Sequence, residues 1–310
     1  MRAVPIALWI TLGGTAVQVG SLFTHFYVHD GARRTAWFGI PMTSELILAS
    51  ALITVALVGL TAAGRSPVSG RSAGAYIGIM ATLAVLQVSY RMVAPPFGGQ
   101  VSGYAGIIGT SCLYYCLPSR ALPADLLPGI WAALAGCVLV ATGGWLHALW
   151  PGHRHAPEYK WGAALQFGIT PWLGLAALGA IGQFVFGYTF FTFYTTQLAG
   201  AVMRWSGWLP TPHVAALVLW VTVLVLALVW NAARERAPFT PSHLGMVIAV
   251  LGAVSAGRIA YRIFYPPFLE ATEIGPAAYI ALISALLIVA AGLVQAVLSG
   301  RRRSPHIAGW

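Results

Sequence analysis

The chain has 310 residues, 58% of them hydrophobic and only 8% charged, with a mean hydropathy of +0.78. A soluble globular domain carries about 25% charged residues, so a protein facing water on all sides is excluded. The 17 Lys and Arg outnumber the seven Asp and Glu, yet they sit singly or in pairs in the connections, without a phosphate loop, an aromatic-basic RNA motif or a DNA-reading helix; the expected partner is a lipid bilayer and not nucleic acid.

Apolar runs of about 20 residues recur along the chain, the length a bilayer-spanning helix needs. They are continuous and do not alternate, so a barrel is excluded and helices are expected. The first span covers Pro5 to Tyr27; it is too long for a signal-peptide core and is read as a retained anchor. The second runs from Thr43 to Ala63, and Arg65 and Arg71 punctuate the Gly/Ser-rich connection to a third, Ala75 to Val93. Pro95 and Pro96 stop that helix. A short fourth span is read at Tyr104 to Leu117, and a fifth ends at His147 to Trp150. Pro151 to Lys160 is the most polar connection, and the run from Trp161 to Trp205 reads as two helices with a tight turn, or as one long helix behind an interfacial segment. The last spans are Thr211 to Trp230, His243 to Phe264 and Pro276 to Leu298. Cys112, Cys116 and Cys137 fall inside spans and read as small core residues, not as a disulfide framework.

Tyr90-Arg91-Met-Val-Ala-Pro95-Pro96-Phe97 recurs as Tyr261-Arg262-Ile-Phe-Tyr-Pro266-Pro267-Phe268, and Pro41 to Glu45 has a counterpart in Pro210 to His213. The expectation is an all-α polytopic membrane protein of nine or ten transmembrane helices, in two related four-helix units: residues 1–120, a linking helix and polar His-rich loop at 121–172, and 173–310. The repeat suggests a structural part for Arg91, Arg262 and His213. Arginine counting places the C-terminus, with Arg301 to Arg303, in the cytoplasm and the chain in the plasma (inner) membrane.

Two sets of residues are candidate metal ligands. His25 and His29, read as helical, share a face at a spacing of four, and Glu45 begins the next span; Asp30 would orient a ligand histidine. The alternative is that all of these are helix-end residues meeting water. His147, His153 and His155 form the weaker set, in or beside a polar loop that is otherwise simply solvated.

These residues resemble a family, the C subunit of the copper-dependent membrane monooxygenases that oxidise methane and ammonia. That family carries Asp-x3-His on one transmembrane helix and Thr-Pro-Ser-His at the head of the next. Thr24-His25-Phe-Tyr-Val-His29 stands at the first position and Thr43-Ser44-Glu45 near the second, with Thr211-Pro212-His213 in the second unit. The resemblance implies a metal-binding subunit of a multi-subunit oxidoreductase, with copper, or else zinc or iron, on His25, His29 and Glu45. Its partners would be other membrane subunits or further copies of the chain. The rival expectations are a secondary transporter or permease with internal repeats, and a non-catalytic structural subunit of a membrane complex.

Overall fold

The computed structural model describes residues 6–29, 32–39, 41–63, 70–93, 126–149, 170–188, 191–198, 201–205, 212–234, 239–266 and 272–301. In chain order these form α1 (Ile6–Ser21), β1 (His25–His29), β2 (Ala32–Thr35), the single turn α2 (Ala36–Gly39), α3 (Pro41–Ala62), α4 (Gly70–Val93), α5 (Pro128–Leu149) and α6 (Pro171–Tyr188). Then follow β3 (Tyr194–Leu198), β4 (Ala201–Trp205), α7 (Pro212–Ala233), α8 (Pro241–Phe264), β5 (Thr272–Ile274) and α9 (Pro276–Arg301).

Six of the helices begin on proline. The ring sets a helical φ, and the missing N–H is one that the first turn has no use for. Threonine completes two of these starts. The Thr240 hydroxyl accepts from the His243 N–H at 3.4 Å, and the Thr170 hydroxyl accepts from the Leu173 N–H at 3.2 Å while donating to Gln295 Oε1 at 2.6 Å. The string Thr240-Pro241-Ser242-His243 is thereby a capped helix start.

Six of the described helices are long and apolar enough to cross a membrane: Thr43–Thr61, Gly70–Val93, Pro128–Leu149, Val214–Ala233, Pro241–Phe264 and Pro276–Ser299. Ile6–Ser21 and Pro171–Gly187 are shorter apolar helices. A 22-residue helix is about 33 Å long, against a hydrocarbon core of about 30 Å. Trp9, Leu52, Val223, Trp230 and Ile283 point away from the protein interior, so the helices are apolar outside as well as inside. The chain is a helical membrane protein.

The residues divide into two compact units, Met1–Glu158 and Tyr159–Trp310. In the first, α5 is the central helix, packed antiparallel against both α1 and α4, with α3 lying along α1 and α4. The approach is backbone to backbone: a Cβ on Gly74 would lie 2.6 Å from the Ala148 nitrogen and 2.8 Å from the Gly144 oxygen. In the second unit α9 is central, packed by α6 and α8, and α7 lies along those two. A Cβ on Gly245 would lie 2.5 Å from the Ala296 nitrogen and 2.5 Å from the Gly292 oxygen. The same match holds for the other pair of helices. Gly14 closes on Gly136 and Val140, as Gly179 closes on Ser284 and Ile288.

A small sheet lies at one end of each helix set. β1 pairs antiparallel with β2, Tyr27 bridges to Leu126, and the Leu127 N–H donates to the Phe26 carbonyl at 2.9 Å. In the second unit β3 lies between β4 and β5, and the Gly275 N–H donates to the Phe193 carbonyl at 2.8 Å.

Two expectations change. The chain is not helical throughout: aromatic and β-branched residues in His25–His29 and Tyr194–Leu198 form strands, as such residues favour. The run from Trp161 to Trp205 is therefore not a pair of helices; its described part is α6 followed by a β-hairpin. Within the first unit, α1 and α4 close on α5 through glycine. The expected span Tyr104–Leu117 lies outside the described residues.

Gly74→Leu and Gly245→Leu should each destabilise the protein by at least the ~1–3 kcal/mol typical of overpacking. Gly13 and Gly257 have no heavy atom within 4 Å of a built Cβ, so leucine there should leave thermal unfolding in detergent almost unchanged. Equal losses at all four positions would contradict the packing described.

Candidate functional site

The sequence-predicted ligands do not share one helical face. His25 and His29 lie on strand β1, where four residues span about 13 Å and not the roughly 6 Å of a helix turn. Chain geometry explains this: α1 stops at Ser21, whose hydroxyl donates back to the Gln18 carbonyl at 2.6 Å, and Phe26 and Tyr27 are then buried. His25 is exposed, as is Glu45 in the second turn of α3. The side chains of His29 and His213, and residues Asp30, His153 and His155, are outside the described residues. His147 is buried near the end of α5, at the opposite end of that helix from the sheet. Among the described residues no three His, Cys, Asp or Glu side chains are grouped to hold a metal ion, so copper, zinc or iron at His25, His29 and Glu45 gains no support.

A different set of side chains stands out when the interiors of the two units are compared, α1 with α6 through their glycine contacts and α3 with α7 by counting from Pro41 and Pro212, the prolines that open them. On α3 the buried stripe carries Thr43, Ser44, Ser50 and Thr54; the corresponding buried residues of α7 are Val214, Ala215, Val221 and Val225. On α1 the buried Thr11 and Thr15 stand where α6 has Ala176 and Ala180. Threonine and valine have nearly one shape, so the packing persists while the chemistry differs. Thr11, Thr15 and Thr54 donate to the carbonyls of Ala7, Thr11 and Ser50, each at 2.8 Å, which leaves their oxygens as acceptors. The Thr43 and Ser50 hydroxyls have no hydrogen-bond partner among the described residues.

One glutamine is shared. Gln183, four residues after Gly179, is fully buried: its amide donates to Thr222 at 3.1 Å, and its Oε1 accepts from Ser255 at 2.7 Å. The Thr222 hydroxyl donates in turn to the Ala180 carbonyl at 3.0 Å. Gln18, four residues after Gly14, is equally buried, but its amide donates to Cys137 Sγ at 3.2 Å and its Oε1 has no partner among the described residues. A buried acceptor left unmatched costs about 1–3 kcal/mol.

At the sheet end the first unit adds a charge. Arg91, in the last turn of α4, is only 6% exposed and lies close enough to act on Tyr27 of β1; Gln87, one turn earlier, is fully buried. Burial pushes the Tyr27 phenol above its ordinary range, and the Arg91 charge opposes that shift. The repeated Tyr-Arg pair is used differently in the second unit. There Arg262 is half-buried over the Tyr261 ring, 5.6 Å from its centroid.

The sequence-level signal for this interior was the polar side chains within apolar helices, Thr11, Thr15 and Gln18 on α1 and Thr43, Ser50 and Thr54 on α3. The α1 set is spaced by four and three residues and the α3 set by seven and four, the steps of one helix face. Attention to histidine and carboxylate passed over them.

The raised Tyr27 ionisation gives a pH test. Above about pH 10 the unfolded chain releases the phenolic proton while the folded chain keeps it, so this group removes up to ~1.4 kcal/mol of stability per further pH unit. Tyr27→Phe should flatten the alkaline fall of the unfolding temperature between pH 10 and 12; an unchanged slope would contradict a buried phenol. No family model matches the chain, and no curated protein or solved structure does.

Proposed function

We propose that the chain is a permease built from two related four-helix units, in which the first unit carries the path for a small hydrogen-bonding solute. The observation that supports this is the exchange of Val214, Val221 and Val225 for Thr43, Ser50 and Thr54 at matching buried positions. Hydroxyls inside a membrane helix bundle do not improve burial of apolar surface, and polar groups at that depth commonly mark solute paths. Backbone-bonded threonines along α1 and α3 would offer a solute a succession of acceptors. Arg91 and Tyr27 would receive it at the sheet end. Matched element order and repeated glycine contacts are what internal repeats in transporters lead one to expect.

The segments next to the sheet-free ends carry Arg2, Arg65, Arg71, Arg154, Lys160, Arg234, Arg236 and Arg301 to Arg303, against Arg33, Arg34, Arg120 and Arg204 in those next to the sheets. The positive-inside rule therefore assigns the sheet-free ends, and the C-terminus, to the cytoplasm. His147 then belongs to the cytoplasmic end of α5.

Reconstituted in liposomes, the full chain should accelerate volume changes driven by water, glycerol or urea gradients above the rate of protein-free liposomes, read by stopped-flow light scattering. The double substitution Ser50→Val and Thr54→Val installs the residues of the second unit. It should slow that permeation several-fold while leaving thermal stability the same or higher. Rates no greater than those of protein-free liposomes for all three probes would overturn the proposal.

A further inference from the structure

We infer that Gln18 Oε1 is the acceptor of a binding site inside the first unit for a single neutral O–H or N–H donor, supplied by a water molecule or by the hydroxyl of a small solute. The solute source rests on the permease reading above; the site itself does not.

The second unit acts as an internal control. Gln183 occupies the matching place, and both ends of its amide are held by protein hydroxyls, Thr222 and Ser255. In the first unit the corresponding residues are Ala51 and Ala84, both buried, so both hydroxyls are gone. One partner has been replaced: Cys137, where the second unit has Ala285, accepts from the Gln18 amide nitrogen at 3.2 Å. The sulfur thereby holds the nitrogen end of the amide. Nothing replaces Ser255, and Gln18 Oε1 has no partner among the described residues. Ala84 for Ser255 removes one oxygen, and Ala51 for Thr222 removes an oxygen and a methyl. Cys137 for Ala285 returns a sulfur on the amide-nitrogen side, so the space opened beside the oxygen is at most of the order of one water molecule, about 30 Å³.

Three features define the occupant. It donates, because Gln18 Oε1 only accepts. It is small, because the side chains withdrawn from the amide, Ser255 and Thr222 in the second unit, give up only three heavy atoms when they become Ala84 and Ala51. It is neutral, because the described carboxylates, Glu45 and Glu273, are exposed and offer no countercharge in the interior. A leucine or methionine at position 18 would fill the space without an unmatched acceptor, so the amide has a use that packing does not supply.

The test is a crystal structure of the full chain, grown from lipid at better than about 2 Å, with and without glycerol. The expected result is a density feature at hydrogen-bond distance, roughly 2.6–3.2 Å, from Gln18 Oε1 and none at Gln183. A single-atom feature in both crystals identifies water, whereas a larger one that appears only with glycerol identifies a solute hydroxyl. In Ala84→Ser the serine Oγ should displace the feature and bond Gln18 Oε1, as Ser255 bonds Gln183. Gln18 Oε1 bonded to a protein donor, or facing no density in either crystal, would overturn the inference. An occupied site in a chain that shows no permeation would leave this inference standing and end the permease reading; permeation with an empty site would do the reverse.

Discussion

The contact on which each unit depends is the backbone approach of one helix to two others, α5 to α1 and α4 in the first unit and α9 to α6 and α8 in the second. Without a hydrophobic drive between helices in lipid, close van der Waals packing has to hold them, and only small residues let backbones come near enough. Gly74, Gly136 and Gly144 provide that surface in the first unit, and Gly179, Gly245 and Gly292 in the second. The glycine seam sets the crossings, and the crossings bring the ends of the helices together where the sheets form. Phe26 and Phe193 are then fully buried, and each accepts a backbone hydrogen bond from the residue just before the last helix of its unit.

Because backbone geometry carries this packing, the inward side chains of the outlying helix are free to vary. α7 uses the freedom for aliphatic residues with one threonine, Thr222, that completes a closed network with Gln183 and Ser255. α3 uses it for hydroxyls, several of which back-bond or remain open as acceptors. Arg91 adds a buried positive charge beside the hairpin of the first unit, whereas Arg262 lies half-buried over a ring in the second. Similar scaffolds thus carry different interiors, one closed on itself and one rich in hydrogen-bonding groups.

Hydropathy made the membrane class legible, and proline placed the helix starts well: Pro41, Pro212 and Pro276 each open a helix where an apolar run begins. The recurrence of Tyr90-Arg91 as Tyr261-Arg262 pointed to the recurring order of elements. The strands were missed because a few aromatic and β-branched residues directly after an apolar helix, as in Phe26 to Val28, look like more helix; Asp30-Gly31, a pair favoured in two-residue hairpin turns, was the available signal. That miss led to the histidine pair, since a spacing of four means one face only if the segment is helical. The hydroxyl-rich interior was obscured for another reason. Serine and threonine scarcely disturb hydropathy, and their burial depends on which helix face meets a neighbour.

The central claim is that the first unit is polar inside where the second is not, at positions of equal burial. Cysteine labelling tests it most directly: Ser50→Cys and Val221→Cys, each in membranes and measured against the parent chain, are exposed to a small water-soluble thiosulfonate. Rapid modification of Ser50→Cys with little at Val221→Cys is the predicted result. Equal rates at the two positions, or faster reaction at Val221→Cys, would contradict the account.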